Sequence, residues 1–231
     1  MKLSSKLRKQ LARLKRHEHN PLIHKIHRKH KISHRTIFYM KEYGPKSNIV
    51  SVILRESLLA LILAFLFSTI SGISLQKIQS SFIAFLPLII LLPALNDMIG
   101  DYSMIMVSRL STLVFTKGTK RDWWMDEDIR KLIRTIALVA IFSAFYISAI
   151  SSLIAYLNGF SLTLASVLKV LQISLFTTLS MVSLIIVIAA FAVYYVYSRK
   201  EDPNNLVLPV MTSIADLGTI LIFAVFIKLI F

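Results

Sequence analysis

The sequence predicts an all-α integral membrane protein with five transmembrane helices per chain. Three observations carry this. Of the 231 residues, 55% are hydrophobic and 17% charged, where a soluble domain carries about a quarter charged residues; mean hydropathy is +0.67. Five apolar stretches approach or exceed the roughly 20 residues that cross a hydrocarbon core about 30 Å thick. The connections between them alternate between basic and weakly charged, as the positive-inside rule requires.

The first stretch, about Glu56 to Ile73, is the shortest. The second, Phe82 to Val107, contains Pro87, Pro93 and Gly100. The third is Leu132 to Leu157, and the fourth, Ala165 to Tyr197, is longer than one crossing needs. The fifth runs from Leu206 to Phe231. Lys77 is the single base of the connection Ser74–Ser81, and Asn158–Leu164 carries no charge. By contrast, Ser108–Lys131 holds Arg109, Lys117, Lys120, Arg121, Arg130 and Lys131, and Ser198–Asn205 holds Arg199 and Lys200. A cytoplasmic N-terminus and an external C-terminus satisfy every connection. Trp123, Trp124, Tyr194, Tyr195 and Tyr197 then fall near the cytoplasmic interface, where amphipathic rings are favoured.

Two units follow: a basic tail, residues 1–49, and a membrane domain, residues 50–231. The tail holds 14 of the 27 Lys and Arg against two acids, Glu18 and Glu42. It is too short and polar to bury a core of its own. Met1 to Arg16 is too basic for a secretory signal peptide, so the spans are expected to act as their own insertion signals. The absence of cysteine excludes disulfides and thiolate metal sites. An odd span count excludes a simple internal duplication; if two equivalent halves are needed, a second chain has to supply the other.

A carboxylate at the bilayer centre costs at least about 2.5–3.5 kcal/mol, and such acids normally face a cavity, a partner or an ion. Asp97 and Asp101 lie in the second span and Asp216 in the fifth. Asp97 and Asp101 are four apart, hence on one face of a continuous helix. Their mutual repulsion favours a cation between them. Asn96 is adjacent, Ser103 and Ser108 follow, and Gly100 is placed to break the helix and free carbonyl oxygens. Oxygen ligands of these kinds suit hard cations such as Mg²⁺ and Ca²⁺. The structural alternative is a pairing of one acid with Arg109, or a position of both acids near the interface.

Asp216 lies ten residues into its span, with Thr212 and Thr219 on its face and Ser213 close by. Pro209 removes one backbone donor in the same helix. A pair with Arg55 or Arg109 is the competing reading. Glu56, at the mouth of the first span, fits either a local pair with Arg55 or a pore mouth. Catalysis has little support. All six histidines are in the tail, so no base is at hand for a serine nucleophile. An aspartyl dyad needs Asp97 or Asp101 brought to Asp216, without the Gly-rich context such dyads usually have.

These residues resemble a known family. The segment Leu92 to Thr112 contains Pro93-Ala94-Leu95, Gly100-Asp101 and Ser108-Arg109-Leu110-Ser111-Thr112. It is similar to the signature of MgtE-type magnesium transporters, above all their eukaryotic solute-carrier relatives. The last span is similar too, through Asp202-Pro203, Asn205, Pro209, Ser213 and Asp216, and Glu56-Ser57-Leu58-Leu59 more weakly. The resemblance covers about residues 50 to 231. It implies a homodimer with ten helices, an ion path between two five-helix bundles, Asp216 on that path and Asn205 near its mouth. Three departures stand out. Asp101 replaces the family's asparagine, Asn96 and Asp97 replace small or apolar residues, and the bacterial cytoplasmic sensing domains have no counterpart.

The expected function is therefore transport of a divalent cation, Mg²⁺ first, along carboxylates of the second and fifth spans, in the cell membrane and without a cofactor. The alternative is a membrane-anchored polyanion binder acting through the tail. His17, His19, His24, His27, His30 and His34 include four at helical spacing, a pattern that can bind Zn²⁺, Ni²⁺ or Cu²⁺. Contact of the basic tail with anionic lipid is the simpler reading. No specific nucleic-acid partner is expected, because nothing in the tail reads bases.

Overall fold

A backbone amide in hydrocarbon has to be satisfied within its own segment, and each of the five apolar stretches forms one α-helix. The computed structural model describes residues 49–83, 85–117, 126–198 and 202–231. The helices are α1 (Ile49–Ile83), α2 (Leu86–Lys117), α3 (Glu127–Leu157), α4 (Leu164–Ser198) and α5 (Pro203–Ile230). All five are long and apolar enough to cross a membrane. Among the described residues there is no strand. The tail histidines, Trp123, Trp124, Arg199 and Lys200 lie outside the described residues, as do the side chains of Arg55 and Glu56.

The helices begin and end differently from the apolar runs. Residues 74–81, expected as a connection, are the last turns of α1. Hydroxyls there do not break the helix, because they bond back to it: Thr69 donates to the Phe65 carbonyl and Ser74 to that of Ile70, both at 2.8 Å. Helix α2 runs ten residues past Val107, with Thr112 and Thr116 bonded to Ser108 and Thr112 carbonyls in the same way. The starts of α3 and α5 are set by caps rather than by hydropathy. Asp126 accepts from the Asp128 amide at 3.0 Å, so α3 begins in the charged run ahead of Leu132. Asp202 accepts from the Asn204 amide at 3.0 Å with Pro203 at the first position, so the Asp-Pro dipeptide is a helix start.

Burial follows helical periodicity. In α2 the buried residues include Leu88, Leu91, Leu95, Ile99, Tyr102, Met106 and Leu110, at intervals of three and four. In α5 it includes Val207, Met211, Ala215, Thr219, Phe223 and Ile227, each four apart. Beyond Ile129 and Ile136, helix α3 buries small residues, Ala140, Ala144, Ser148, Ser151, Ser152 and Ala155. Small side chains let its backbone approach α4 closely, as apolar spans require where no hydrophobic effect draws helices together. The Ser174 hydroxyl of α4 donates to the Ala144 carbonyl of α3 at 3.1 Å across this seam.

Helices α2, α4 and α5 are mutually packed, with α3 against α2 and α4. Helix α1 lies against α5, touches α2 only lightly, and leaves Leu58, Leu59, Phe65, Leu66, Ile70 and Ile73 exposed. Two aromatic clusters fix how the helices alternate. Phe85 after α1 meets Phe160 after α3 at 5.2 Å and Phe231 after α5 at 4.9 Å between ring centres. The chain reverses beside Phe160 at Gly159, whose φ of 83° suits glycine. At the opposite end, Phe115 of α2 meets Tyr197 of α4 at 5.1 Å. The basic connections therefore share one end of the bundle and the weakly charged ones the other.

Candidate functional site

The amide and the two carboxylates of α2 sit on the face turned away from its leucine row. Pro93, Asn96, Asp97, Gly100, Asp101 and Met104 recur at intervals of three and four and line one cleft of about 410 Å³. Thr212 and Asp216 of α5 close its other side. Helix α2 continues unbroken through Gly100, contrary to the expected break. The Gly100 carbonyl accepts from Ser103 at 2.7 Å. A Cβ at Gly100 would meet nothing within 4 Å. Its contribution is thus open space between two carboxylates.

One bond ties the two helices together at this level. The Asn96 amide Nδ2 donates to Asp216 Oδ1 at 2.8 Å, across 120 residues of chain. Asn96 Oδ1 is buried and, among the described residues, accepts no hydrogen bond. Asp216 lies 13 residues from the start of α5 and 14 from its end, about 20 Å from either. Asp97 and Asp101 are exposed along the cleft. Three carboxylates thus stand around one groove half-way through the bundle. They do not converge into a closed cage: among the described residues no three metal-ligating side chains do.

Not every candidate reaches the groove. The Thr212 hydroxyl donates to the Leu208 and Pro209 carbonyls at 3.3 and 3.0 Å. With its hydrogen held there, its lone pairs remain to accept. Ser213 and Thr219 are buried and bond to the Pro209 and Ala215 carbonyls. Neither lines the cleft, so the polar face expected around Asp216 is narrower than its spacing implied. Asn205 sits in the first turn of α5, 11 residues before Asp216, outside the lining. Arg109 is exposed, and among the described residues it pairs with none of the three acids. It lies two turns beyond Asp101, about 12 Å along the axis, which is too far for a contact within α2. Pro93 and Met104 are groove residues that sequence reasoning missed. Their signal was their place in the same three-and-four register as the acids.

A family model described as MgtE, divalent cation transporter, matches residues 92–226, more than half of the chain. The chain belongs to the MgtE family. The match holds every groove residue, from Pro93 on α2 to Asp216 on α5, and excludes α1. No curated protein and no solved structure gives a significant match. MgtE proteins are divalent cation transporters rather than enzymes. With five membrane-long helices, this chain is a multi-pass member of that family.

Proposed function

We propose that the protein carries Mg²⁺ across the cell membrane through the groove between α2 and α5, and that two chains face each other to form the path. The observation that carries this reading is the Asn96–Asp216 bond at mid-span, with Asp97 and Asp101 exposed beside it. Three carboxylates turned to lipid would cost roughly 8–10 kcal/mol. That approaches the whole stability of a typical domain, about 5–15 kcal/mol. Such a groove has to be covered by protein, water and cations.

The chemistry suits an ion that keeps part of its water. Mg²⁺ sheds water reluctantly and is commonly held by one or two carboxylates with several waters retained. Asn96 holds one oxygen of Asp216 and leaves the other free to meet the ion or its hydration shell. The buried Asn96 Oδ1 has no donor among the described residues, and a water on the cation would supply one. Expression in cells deprived of their own Mg²⁺ uptake should restore growth at low Mg²⁺. The double variant Asp97→Asn/Asp101→Asn should restore it poorly, because the approach to Asp216 loses two charges. Full rescue by the double variant would remove the groove from the path.

A second chain follows from the same face. The protein has no cysteine, so a single Met104→Cys reports only on itself. Mild oxidation in membranes should give a covalent dimer through this position. An active particle with the mass of one chain contradicts the paired arrangement. Orientation is set by the basic end, which the positive-inside rule puts in the cytoplasm. An impermeant thiol reagent should label Gly159→Cys in intact cells and Gly118→Cys only after permeabilisation. Labelling of Gly118→Cys in intact cells reverses the orientation.

A further inference from the structure

We propose that the outer face of α3 is a binding site for one anionic phospholipid, with its phosphate held by Arg130, Lys131 and Arg134 and its acyl chain along the exposed apolar strip that follows. A cleft of about 330 Å³ lies against the first turns of α3, lined by Glu127, Arg130, Lys131, Arg134, Thr135 and Leu138. These positions are three and four apart, so they form one stripe on the helix. Three cations and one carboxylate leave the stripe at +2. Arg130, Lys131 and Arg134 are exposed and form no ion pair among the described residues. Guanidinium groups bind phosphate oxygens in a bidentate fork, while lysine adds a point charge.

The same stripe then becomes apolar. Leu138 is 57% exposed, Phe142 73% and Tyr146 68%, and Leu153 continues the line at 56%. Arg134 and Phe142 are eight residues apart, about 12 Å along the helix, so the charges sit a short way above the apolar strip. An amphiphile with a negative head and a hydrocarbon tail matches this sequence of chemistry. A soluble phosphate matches only its first two turns. Basic pockets at the ends of membrane helices commonly take anionic headgroups. The site is distinct from the groove, which lies on α2 and α5.

The test uses the full chain, purified in mild detergent, and a phosphatidylglycerol probe carrying a photoreactive diazirine in its acyl chain. Cross-linked peptides are mapped by mass spectrometry. Adducts are expected on Leu138 to Tyr146. At a membrane surface each base contributes roughly fivefold. Arg130→Gln/Lys131→Gln/Arg134→Gln should therefore cut those adducts on the order of 100-fold. Lys25→Gln/Arg28→Gln/Lys29→Gln, in the basic tail, should leave them in place. Wild-type protein should label far less with a phosphatidylcholine probe, a comparison that needs no variant. Excess inorganic phosphate should not displace the lipid. Equal labelling by the two probes, unchanged adducts in the α3 triple variant, or full displacement by phosphate each overturns the proposal.

Discussion

Asp216→Asn is expected to lower Mg²⁺ flux by at least tenfold while the protein still folds and assembles. The substitution keeps the shape of the side chain and removes its charge. A dication about 5 Å from a carboxylate, one water between them, is attracted by roughly 7 kcal/mol at an effective dielectric near 20. Each 1.4 kcal/mol is about tenfold, so a small part of that attraction accounts for the loss. Stability separates this account from a structural one. Breaking a buried ion pair leaves an unpaired charge and costs about 3–5 kcal/mol. Among the described residues, however, the one bond to the Asp216 side chain comes from Asn96, not from a base. An amide at position 216 still accepts from Asn96. Thermal unfolding should stay at the wild-type temperature or rise. Large destabilisation with flux retained would falsify the ion-contact role.

Asn96→Leu is the complementary change and has the opposite signature. It removes the donor held 2.8 Å from Asp216 Oδ1. A hydrogen bond to a charged group contributes about 1.5–3 kcal/mol, and a carboxylate left without it in a partly buried site carries that cost. The variant should therefore lose both stability, by about that amount, and flux, by roughly tenfold, because Asp216 is no longer held in register with Asp97. Calorimetry and flux on the same preparation check both. The double variant Asn96→Leu/Asp216→Asn should be less damaging than the two effects combined, since both act on one bond. Wild-type flux and unfolding temperature in Asn96→Leu would show that the bond has no part in the path.

Much of this was legible in the sequence, and the limits have physical reasons. Span number follows from apolar length, which the bilayer imposes on every segment separately. The shared face of Asp97 and Asp101 follows from a spacing of four. Helix ends were less legible, because hydropathy marks where the membrane begins and caps mark where the helix begins. Asp126 and Asp202 place α3 and α5 starts ahead of their apolar runs. Serines and threonines at 69, 74, 112 and 116 look like loop formers, yet each returns its hydrogen to its own helix. Asp216 stands out as a candidate from its depth, its Thr212 and Thr219 neighbours and its place in the family-like last span. Its partner does not, since no local rule links residues 120 apart. Thr219 shows the reverse failure: it shares a side of α5 with Asp216 by spacing, but close helices bury it.

The most direct test of the central claim is ion flux into liposomes that contain only the pure protein, measured metal by metal with an indicator trapped inside. The account predicts Mg²⁺ entry that saturates with concentration, exceeds leakage into empty vesicles, and falls to near leakage with Asp216→Asn. Correctly inserted, dimeric protein that admits Mg²⁺ no faster than empty liposomes would contradict it.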